Sequence, residues 1–200
     1  MATIDWPATR AYQPQAMQFG ATTPKSRFAS FFTSNAQAVG HLSDRLTCTL
    51  SLPPCSASEG QMREAFLLGL ASSGDLVRLG HRQRIAPMGT MRATPTVQAS
   101  ALAGARTISI QTIAGRTVQA GDVLQIGTQL VLARSLATAN GSGVLSLSLA
   151  LPIVRPITAG DAVVWDGPVG IWELMGEGAS VRYQARRLQQ GADVTFLQRP

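Results

Sequence analysis

The sequence predicts a mainly β fold with one helix, and two observations support this prediction. The first is a repeated phrase at 117–127 and 156–167, in which an Ala-Gly-Asp turn precedes an apolar strand and another glycine. Glycine adopts positive φ easily and aspartate can bond its own backbone, so Gly-Asp favours a sharp reversal. The second is a series of short apolar runs separated by turn residues between 90 and 165, which is typical of a small β-barrel or sandwich. The strands predicted in this stretch lie at 91–98, 107–112, 122–126, 129–136, 144–149 and 162–165.

A half-buried strand is predicted before this stretch, at 46–52. Leu46, Cys48, Leu50 and Leu52 alternate with threonine and serine, and two prolines follow. A period of two residues places alternate side chains on one face of a strand, and the prolines end it. We therefore expect the four apolar residues to face a core.

The helix is predicted at 59–70. Ser58 can cap its first turn, Gln61 stands three residues later as in a capping box, and Gly74 closes the segment. The apolar residues fall at three- and four-residue spacing, which predicts one buried face. The predicted face consists of Met62, Ala65, Phe66, Gly69 and Leu70. We expect this helix to lie across a sheet.

The C-terminal residues predict further strands, at 171–175 and 181–185, and a short strand is predicted at 75–79. A two-stranded hairpin alone is marginally stable, so the C-terminal pair needs a sheet to join. The N-terminal segment offers that sheet. The sequence therefore predicts a discontinuous domain made of 1–87 and 168–200, with 88–167 inserted as a small β-module.

The surface is predicted to carry unusually few charges. Charged residues make up 14% of the chain, against about a quarter in typical domains, and the net charge is +6. Sixteen of the basic residues are arginine and one, Lys25, is lysine. Two interpretations stay open: a surface largely covered by partners, or a monomer with a surface rich in serine, threonine and glutamine.

Catalytic chemistry is not expected. His41 and His81 are the two histidines, and neither has sequence neighbours suited to a triad or a metal cage. Cys48 and Cys55 are interpreted as two reduced thiols. The sequence therefore predicts no enzyme activity, no metal and no cofactor.

Two further binding modes are weighed from the sequence. Trp165 and Trp172 could form a platform for a sugar ring, but core packing is the favoured interpretation. The N-terminus shows no signal-peptide pattern and no apolar run approaches about eighteen residues, so a membrane partner is not expected.

The segment 78–84 concentrates basic residues. Nucleic-acid binding is one interpretation, but the segment lacks the interleaved aromatic residues on which bases stack. We therefore expect a subunit interface, in which arginines of one copy meet acidic turns of another, and we do not expect DNA contact. The predicted interface residues are Arg78, Arg82, Arg84, Asp122 and Asp161.

The order of several motifs resembles a family of tailed-bacteriophage structural proteins, the distal tail or tail-tip proteins. Each motif alone is a common sequence pattern of turns and strands. The specific feature is the order of the motifs along the chain. The matching segments are Ile4-Asp5-Trp6-Pro7, Ala29-Ser30-Phe31-Phe32-Thr33-Ser34, Leu50-Ser51-Leu52-Pro53-Pro54, Glu64-Ala65-Phe66-Leu67-Leu68-Gly69-Leu70, Pro87-Met88-Gly89-Thr90, Ala120-Gly121-Asp122 and Pro168-Val169-Gly170-Ile171-Trp172-Glu173-Leu174.

The resemblance implies a tail-tube-like β-sandwich domain carrying the inserted module, and a homo-oligomeric virion protein of the tail. It implies a ring that joins the tail tube to the baseplate hub, with six copies favoured and three as the alternative. Its partners would be the tail tube protein and hub proteins, and it would reside in host cytoplasm before assembly. The chain lacks a proline after Ser30 and a tryptophan in 41–45, so distal ring, tube-like ring and tail-completion protein stay open. The competing interpretation is a soluble carbohydrate-binding or nucleic-acid-binding β-module.

Overall fold

A computed structural model gives the fold and describes residues 1–29, 36–40, 44–81, 84–175, 188–189 and 191–199. Within these residues the protein is mainly β, with a single α-helix and a short 3-10 helix at Arg10–Tyr12. The elements in chain order are β1 (Thr3–Asp5), β2 (Ala16–Thr22), β3 (Lys25–Ala29), β4 (Ala36–Gly40), β5 (Arg45–Leu52), β6 (Cys55–Ser56), α1 (Ala57–Ser73), β7 (Leu76–Gly80), β8 (Thr96–Val97), β9 (Thr107–Gln111), β10 (Thr117–Val118), β11 (Val123–Ile126), β12 (Gln129–Leu132), β13 (Ala137–Thr138), β14 (Val144–Ser148), β15 (Val163–Val164), β16 (Val169–Leu174), β17 (Leu188–Gln189) and β18 (Ala192–Gln198).

The largest sheet combines strands from both ends of the chain. Its order is β1-β7-β16-β18-β5-β2, and every neighbouring pair is antiparallel except β1 and β7. The C-terminal strands β16 and β18 lie in the middle of this order, between β7 and β5. The strands predicted at 46–52, 75–79 and 171–175 are confirmed within one or two residues. The strand predicted at 181–185 lies outside the described residues, and β18 was not predicted.

One face of the sheet forms a core. The burial of β5 alternates along the strand as its period-two pattern predicts. Trp172 of β16 and Phe196 of β18 are fully buried in the same core. Trp6 meets the Phe196 ring edge-on with centroids 5.7 Å apart, and it meets Phe66 of α1 in the same way. Aromatic pairs prefer this T-shaped geometry, so the helix and the N-terminal segment are fastened to the sheet through one ring cluster.

The ends of α1 follow from its capping residues, although the cap differs from the prediction. Ser56, not Ser58, is the N-cap: its hydroxyl accepts from the Glu59 N–H, and the Glu59 side chain accepts from the Ser56 N–H. This is a complete capping box. Gly74 ends the helix in the left-handed conformation, φ 63°, as predicted.

The buried face of α1 agrees with the predicted one at Leu70 and in part at Phe66, but Met62, Ala65 and Gly69 of the predicted face are exposed. Met62 is 56% exposed, whereas the buried positions are Gly60, Arg63, Leu67 and Leu70. The cause is Arg63, whose side chain is fully buried and donates to the carbonyl oxygens of Ala11 and Pro53. Apolar periodicity alone places an arginine on the exposed face of a helix. The predicted buried face was therefore rotated relative to the observed one.

The second core belongs to residues 88–167, which we call the module. Sixteen buried side chains drawn from Met91 to Val163 form it. Two three-stranded sheets, β12-β11-β15 and β14-β9-β8, surround the core, and β10 pairs with β13. The bridges Thr96↔Ala162 and Ala133↔Leu149 link these two sheets at both ends of their order. Each predicted strand of this stretch contains an observed one, although the one predicted at 91–98 shrinks to β8, and β10 and β13 were not predicted.

The repeated phrase of the sequence forms the same turn twice. Gly121 and Gly160 have φ of 90° and 94°, values that favour glycine. In the first turn the Asp122 carboxylate accepts from the Gln119 N–H at 2.7 Å, and in the second Asp161 accepts from the Thr158 N–H at 2.9 Å. The predicted Gly-Asp reversals are therefore confirmed, and in both the aspartate closes the turn.

The module is held against the six-stranded sheet by backbone and side-chain contacts. The Val169 N–H donates to Gln125 Oε1 at 2.9 Å, and the buried Gln198 amide donates to the Leu130 carbonyl at 3.4 Å. Leu130 and Val123 also pack in the core of the sheet. The division into a discontinuous domain and an inserted one stays a prediction, but the two cores meet at this seam.

Candidate functional site

The residues that usually carry catalysis or bind metals are dispersed. No three His, Cys, Asp or Glu side chains lie together as a metal site among the described residues. The His81 ring stacks on Phe19 with centroids 4.4 Å apart and planes 17° apart. Partial burial and the nearby Arg84 charge lower the pKa of His81, which favours the neutral ring. His41 lies outside the described residues.

Both cysteines are buried in the sheet region, and neither forms a disulfide. Burial raises the pKa of the Cys48 thiol to about 12. A thiol that stays protonated is a poor nucleophile and a poor metal ligand. Cys48 therefore acts as a small apolar residue of β5.

The basic residues that the sequence predicted at a subunit interface are bonded within their own chain where they are described. Arg78 pairs with Asp5 at 3.2 Å, and both side chains are largely exposed, 49% and 77%. The Arg84 guanidinium donates to the Gly121 carbonyl oxygen at 3.1 Å. Arg82 lies outside the described residues. Arg84 thus ties the segment after β7 to the first Gly-Asp turn of the module.

The two acidic residues predicted at that interface differ from one another. Asp122 is 3% exposed, and its carboxylate accepts from the backbone N–H groups of Met88, Gly89 and Gln119. Its oxygens are therefore satisfied inside the molecule, and we do not carry it into a proposed interface. Asp161 is partly exposed and closes its own turn. These contacts lie within one copy, so the predicted contact between copies stays a prediction.

The two tryptophans weighed as a sugar platform have separate environments. Trp172 is fully buried, and its Nε1–H donates to the Leu79 carbonyl at 3.1 Å. It is a core residue, as favoured from the sequence. Trp165 donates to the Ala93 carbonyl at 2.8 Å, and the Arg92 guanidinium lies 4.9 Å from its ring centroid.

An open sheet edge is the feature that stands out for binding a macromolecule. β2 pairs with β5 along all seven of its residues, and no other described strand pairs with its outer edge. Its sequence, Ala-Met-Gln-Phe-Gly-Ala-Thr, contains neither a charge nor a proline. Natural proteins usually protect an open edge with such residues, with bulges or with a covering segment. Among the described residues, β2 therefore presents a row of unpaired backbone donors and acceptors.

The chain continues from β2 into a second β-ladder. β3 and β4 pair over five residues each, from Lys25↔Gly40 to Ala29↔Ala36, and among the described strands they pair only with each other. At about 3.4 Å per residue this ladder is roughly 17 Å long. We call β3 and β4 the hairpin arm. An isolated two-stranded ribbon is marginally stable in water, so the arm needs a surface to cover it.

An apolar groove lies beside the same edge. It has a volume of about 490 Å³ and runs between the N-terminal segment, β2 and the two segments that lead into and out of the module. Trp6, Met17, Leu79, Ile85 and Pro168 are among its lining residues. Ile85 is 56% exposed. The groove therefore reaches from β2 across to β7 and the start of β16, next to the residues where the module joins the sheet.

Sequence reasoning missed β2 and the arm, although a signal was present. Met17 and Phe19 alternate with Gln18 and Gly20, which is a period of two. The prolines at 14 and 24 were interpreted as breaks in secondary structure, and the strand between them was not predicted. The partnering that makes β2 an edge could not be read, because strand order depends on contacts between distant segments.

The sequence matches no protein-family model, and no curated protein matches it significantly. Within the described residues, no helix is both long enough and apolar enough to span a bilayer.

Proposed function

We propose that this chain is a structural protein of a bacteriophage tail, which assembles with copies of itself into a ring between the tail tube and the baseplate hub. The observation that carries the proposal is the unprotected edge of β2 together with the hairpin arm that follows it. The motif order described above supplies the tail assignment, and six copies are favoured over three.

The edge and the arm favour assembly for a physical reason. A strand from another copy can satisfy the outer backbone groups of β2 by extending the sheet. The opposite edge of the same sheet is β1, a different and shorter strand. Contacts between two different surfaces are heterologous, and heterologous contacts close into a ring when the rotation between copies permits. A sheet with two unlike edges therefore suits a ring better than a two-fold dimer.

The absence of charged residues from β2 supports the same proposal. The exposed positions of β2 include Ala16, Gln18 and Ala21, and none is charged. Burying uncharged surface against another copy avoids the desolvation cost that buried charges carry. The cores of protein interfaces are likewise depleted in charged residues.

The finer architecture is part of the proposal. We propose that the six-stranded sheet belongs to a tail-tube-like sandwich domain of residues 1–87 and 168–200. We propose that the module is a small barrel inserted into it, because the bridges at Thr96 and Ala133 would complete a circuit of six strands. Gly80 and Val169 are paired directly across β7 and β16, so the module leaves and re-enters the sheet at one point.

The test measures assembly of purified protein by light scattering and negative-stain imaging. Replacing Gln18 and Ala21 with lysine places two charges on the β2 edge, and we expect the double variant to stay folded but fail to form rings. The matched control carries Thr107→Lys and Ser146→Lys, at exposed strand positions of the module, and should assemble normally.

Two outcomes would contradict the proposal. A wild-type chain that stays monomeric at high concentration and with tail tube or hub proteins would remove the ring. Rings that form equally well with the edge variant would show that another surface makes the contact.

A further inference from the structure

The six-stranded sheet curls strongly, so that β2 approaches the end of β7. The two strands are four steps apart in the strand order, which in a flat sheet would separate them by roughly 19 Å. The Phe19 ring of β2 nevertheless stacks on His81, the residue after β7, with centroids 4.4 Å apart. The same ring lies 5.7 Å from the Trp172 ring of β16. The sheet is therefore wrapped around its own core.

The apolar groove lies at the opening between these two strands. Met17 lines it on the β2 side, and Leu79 and Gly80 line it on the β7 side. β1 pairs with β7 only as far as Arg78, so no described strand covers Leu79 and Gly80 on the side of β7 away from β16. The outer edge of β2 is also unpaired among the described residues. Two uncovered strand edges thus border one groove of about 490 Å³.

The groove reaches the core of the sheet. Leu50 and Leu79 line it, and both belong to that core. Trp6 and Met17, which are partly buried against the same core, also line it. Covering such side chains removes more apolar surface from water, which is favourable, and contiguous apolar surface of this kind marks interaction sites.

The two segments that connect the sheet and the module also line the groove. Gly167 and Pro168 lie on one of them, and Ile85 lies on the other. The Gly167 N–H donates to the Ile85 carbonyl oxygen at 2.6 Å, which joins the two segments. The Ile85 residue is 56% exposed, so a large apolar side chain stands at the groove without being covered by its own chain.

We infer that a strand of a second copy fills this groove, pairing with the β2 edge and covering Leu79 and Ile85. The inference rests on the proposed assembly and specifies what the added strand contacts. The occupant is an extended chain, because a strand can satisfy the row of unpaired backbone groups along β2. It belongs to a second copy, because the groove is continuous through Met17 with the edge at which copies are proposed to meet.

The charges at the groove favour an uncharged strand. Among the described residues that line it, Arg78 is the one arginine, and it already pairs with Asp5 at 3.2 Å. Burial and the nearby Arg84 charge lower the pKa of His81, which favours its neutral ring. A charged strand would therefore lose water without gaining an unpaired opposite charge in the groove.

The hairpin arm contains a strand of this kind. β4 reads Ala-Gln-Ala-Val-Gly, without a charge, whereas β3 carries Lys25 and Arg27. Among the described strands β4 pairs only with β3, so its other edge is open. None of the described arm residues lines the groove of its own chain. We therefore assign the groove to β4 of a second copy.

The test measures how fast a maleimide labels Ile85→Cys in single copies and in rings. Cys48 and Cys55 are buried, and an exposed thiol reacts faster than a buried one. We expect labelling of Ile85→Cys to slow at least about tenfold on assembly, because the added strand covers it. The matched control is Leu102→Cys on the module, which is 78% exposed and should label at nearly the same rate in both states.

Charged variants test the two sides of the contact. Ile85→Glu places a charge at the groove without altering the β2 edge, and we expect folded single copies that do not form rings. Ala38→Lys with Val39→Lys places a charge on each face of β4 and should have the same effect. Leu102→Glu is the control for an added surface charge and should assemble as the wild type does.

Three results would overturn the inference. Rings in which Ile85→Cys labels as fast as in single copies would show an open groove, and the ring proposal would stand without it. Slow labelling already in single copies would show that the chain's own arm or a small apolar molecule fills the groove. A wild-type chain that forms no rings would remove the proposed assembly and this inference together.

Discussion

The six-stranded sheet and the module solve the problem of β-sheet edges differently. In the module, bridges at Thr96 and Ala133 connect the two three-stranded sheets to each other, and the core is drawn entirely from the module's own residues. The sheet keeps one long edge unpaired among the described residues, and its core borrows Val123 and Leu130 from the module. Among the described residues the module's strands are linked into a closed order, whereas the sheet keeps an open edge, which the proposed assembly would cover with a neighbouring copy.

Core substitutions test this comparison with the largest expected effect. Trp172→Ala removes a fully buried indole and its bond to Leu79, and we expect it to cost about 3–5 kcal/mol of unfolding free energy. Because the module has its own core, its backbone amides should keep their protection from hydrogen exchange while those of β5 and β18 lose theirs.

The matched control for this experiment is Leu145→Ala in the module. Leu145 is also fully buried, and its replacement should cost about 2–5 kcal/mol and expose the module amides first. Equal loss of protection in both regions for either variant would show that the chain unfolds as one unit, which would break the comparison.

The same contrast explains what the sequence could predict. Local turn signals were sufficient for several strands of the module, because β11 and β15 each follow a Gly-Asp turn and β14 follows a Gly-Ser-Gly turn. They were also sufficient for the period-two pattern of β5. They failed where a side chain or strand acts over a long distance. Arg63 can be buried because the carbonyl oxygens of Ala11 and Pro53 accept hydrogen bonds from its guanidinium. The local sequence around Arg63 does not predict these contacts.

The candidate site was predictable only in part for the same reason. The sequence suggested that Asp122 and Asp161 are equivalent acidic turns, and locally they are. The first residues of the module then fold over the first turn, so Met88 and Gly89 donate to Asp122 and bury it. The open edge of β2 is likewise a product of tertiary packing.

The two Gly-Asp turns offer a test of intermediate size within the module. Asp122→Asn leaves one side-chain oxygen for three backbone donors and turns an amide NH₂ toward the others, so we expect a loss of about 2 kcal/mol in urea unfolding. Asp161→Asn still offers the one oxygen that Thr158 needs, and it should cost less than about 1 kcal/mol. Equal losses would mean that the hydrogen bonds from Met88 and Gly89 add nothing to the stability of the first turn.

The smallest predicted effect is the pH dependence contributed by His81 at the edge of the sheet. Burial and the Arg84 charge hold the pKa of this ring below its value in the unfolded chain, which is about 6.5. The unfolded state then binds a proton more readily than the folded state, so stability from the neutral ring is fully present above about pH 6.5. It is lost as the pH falls below that value, until the folded ring also titrates. The stack on Phe19 places this loss beside β2, so acidification should weaken the sheet edge before it affects the module.

The measurement compares the unfolding free energy of the wild type and His81→Gln between about pH 5 and 8, with His41 present in both. The wild type should lose stability relative to the variant on acidification, by a fraction of a kcal/mol because the ring is only partly buried. A wild type that gains stability relative to the variant at low pH would reverse the sign of the pKa shift and remove this coupling.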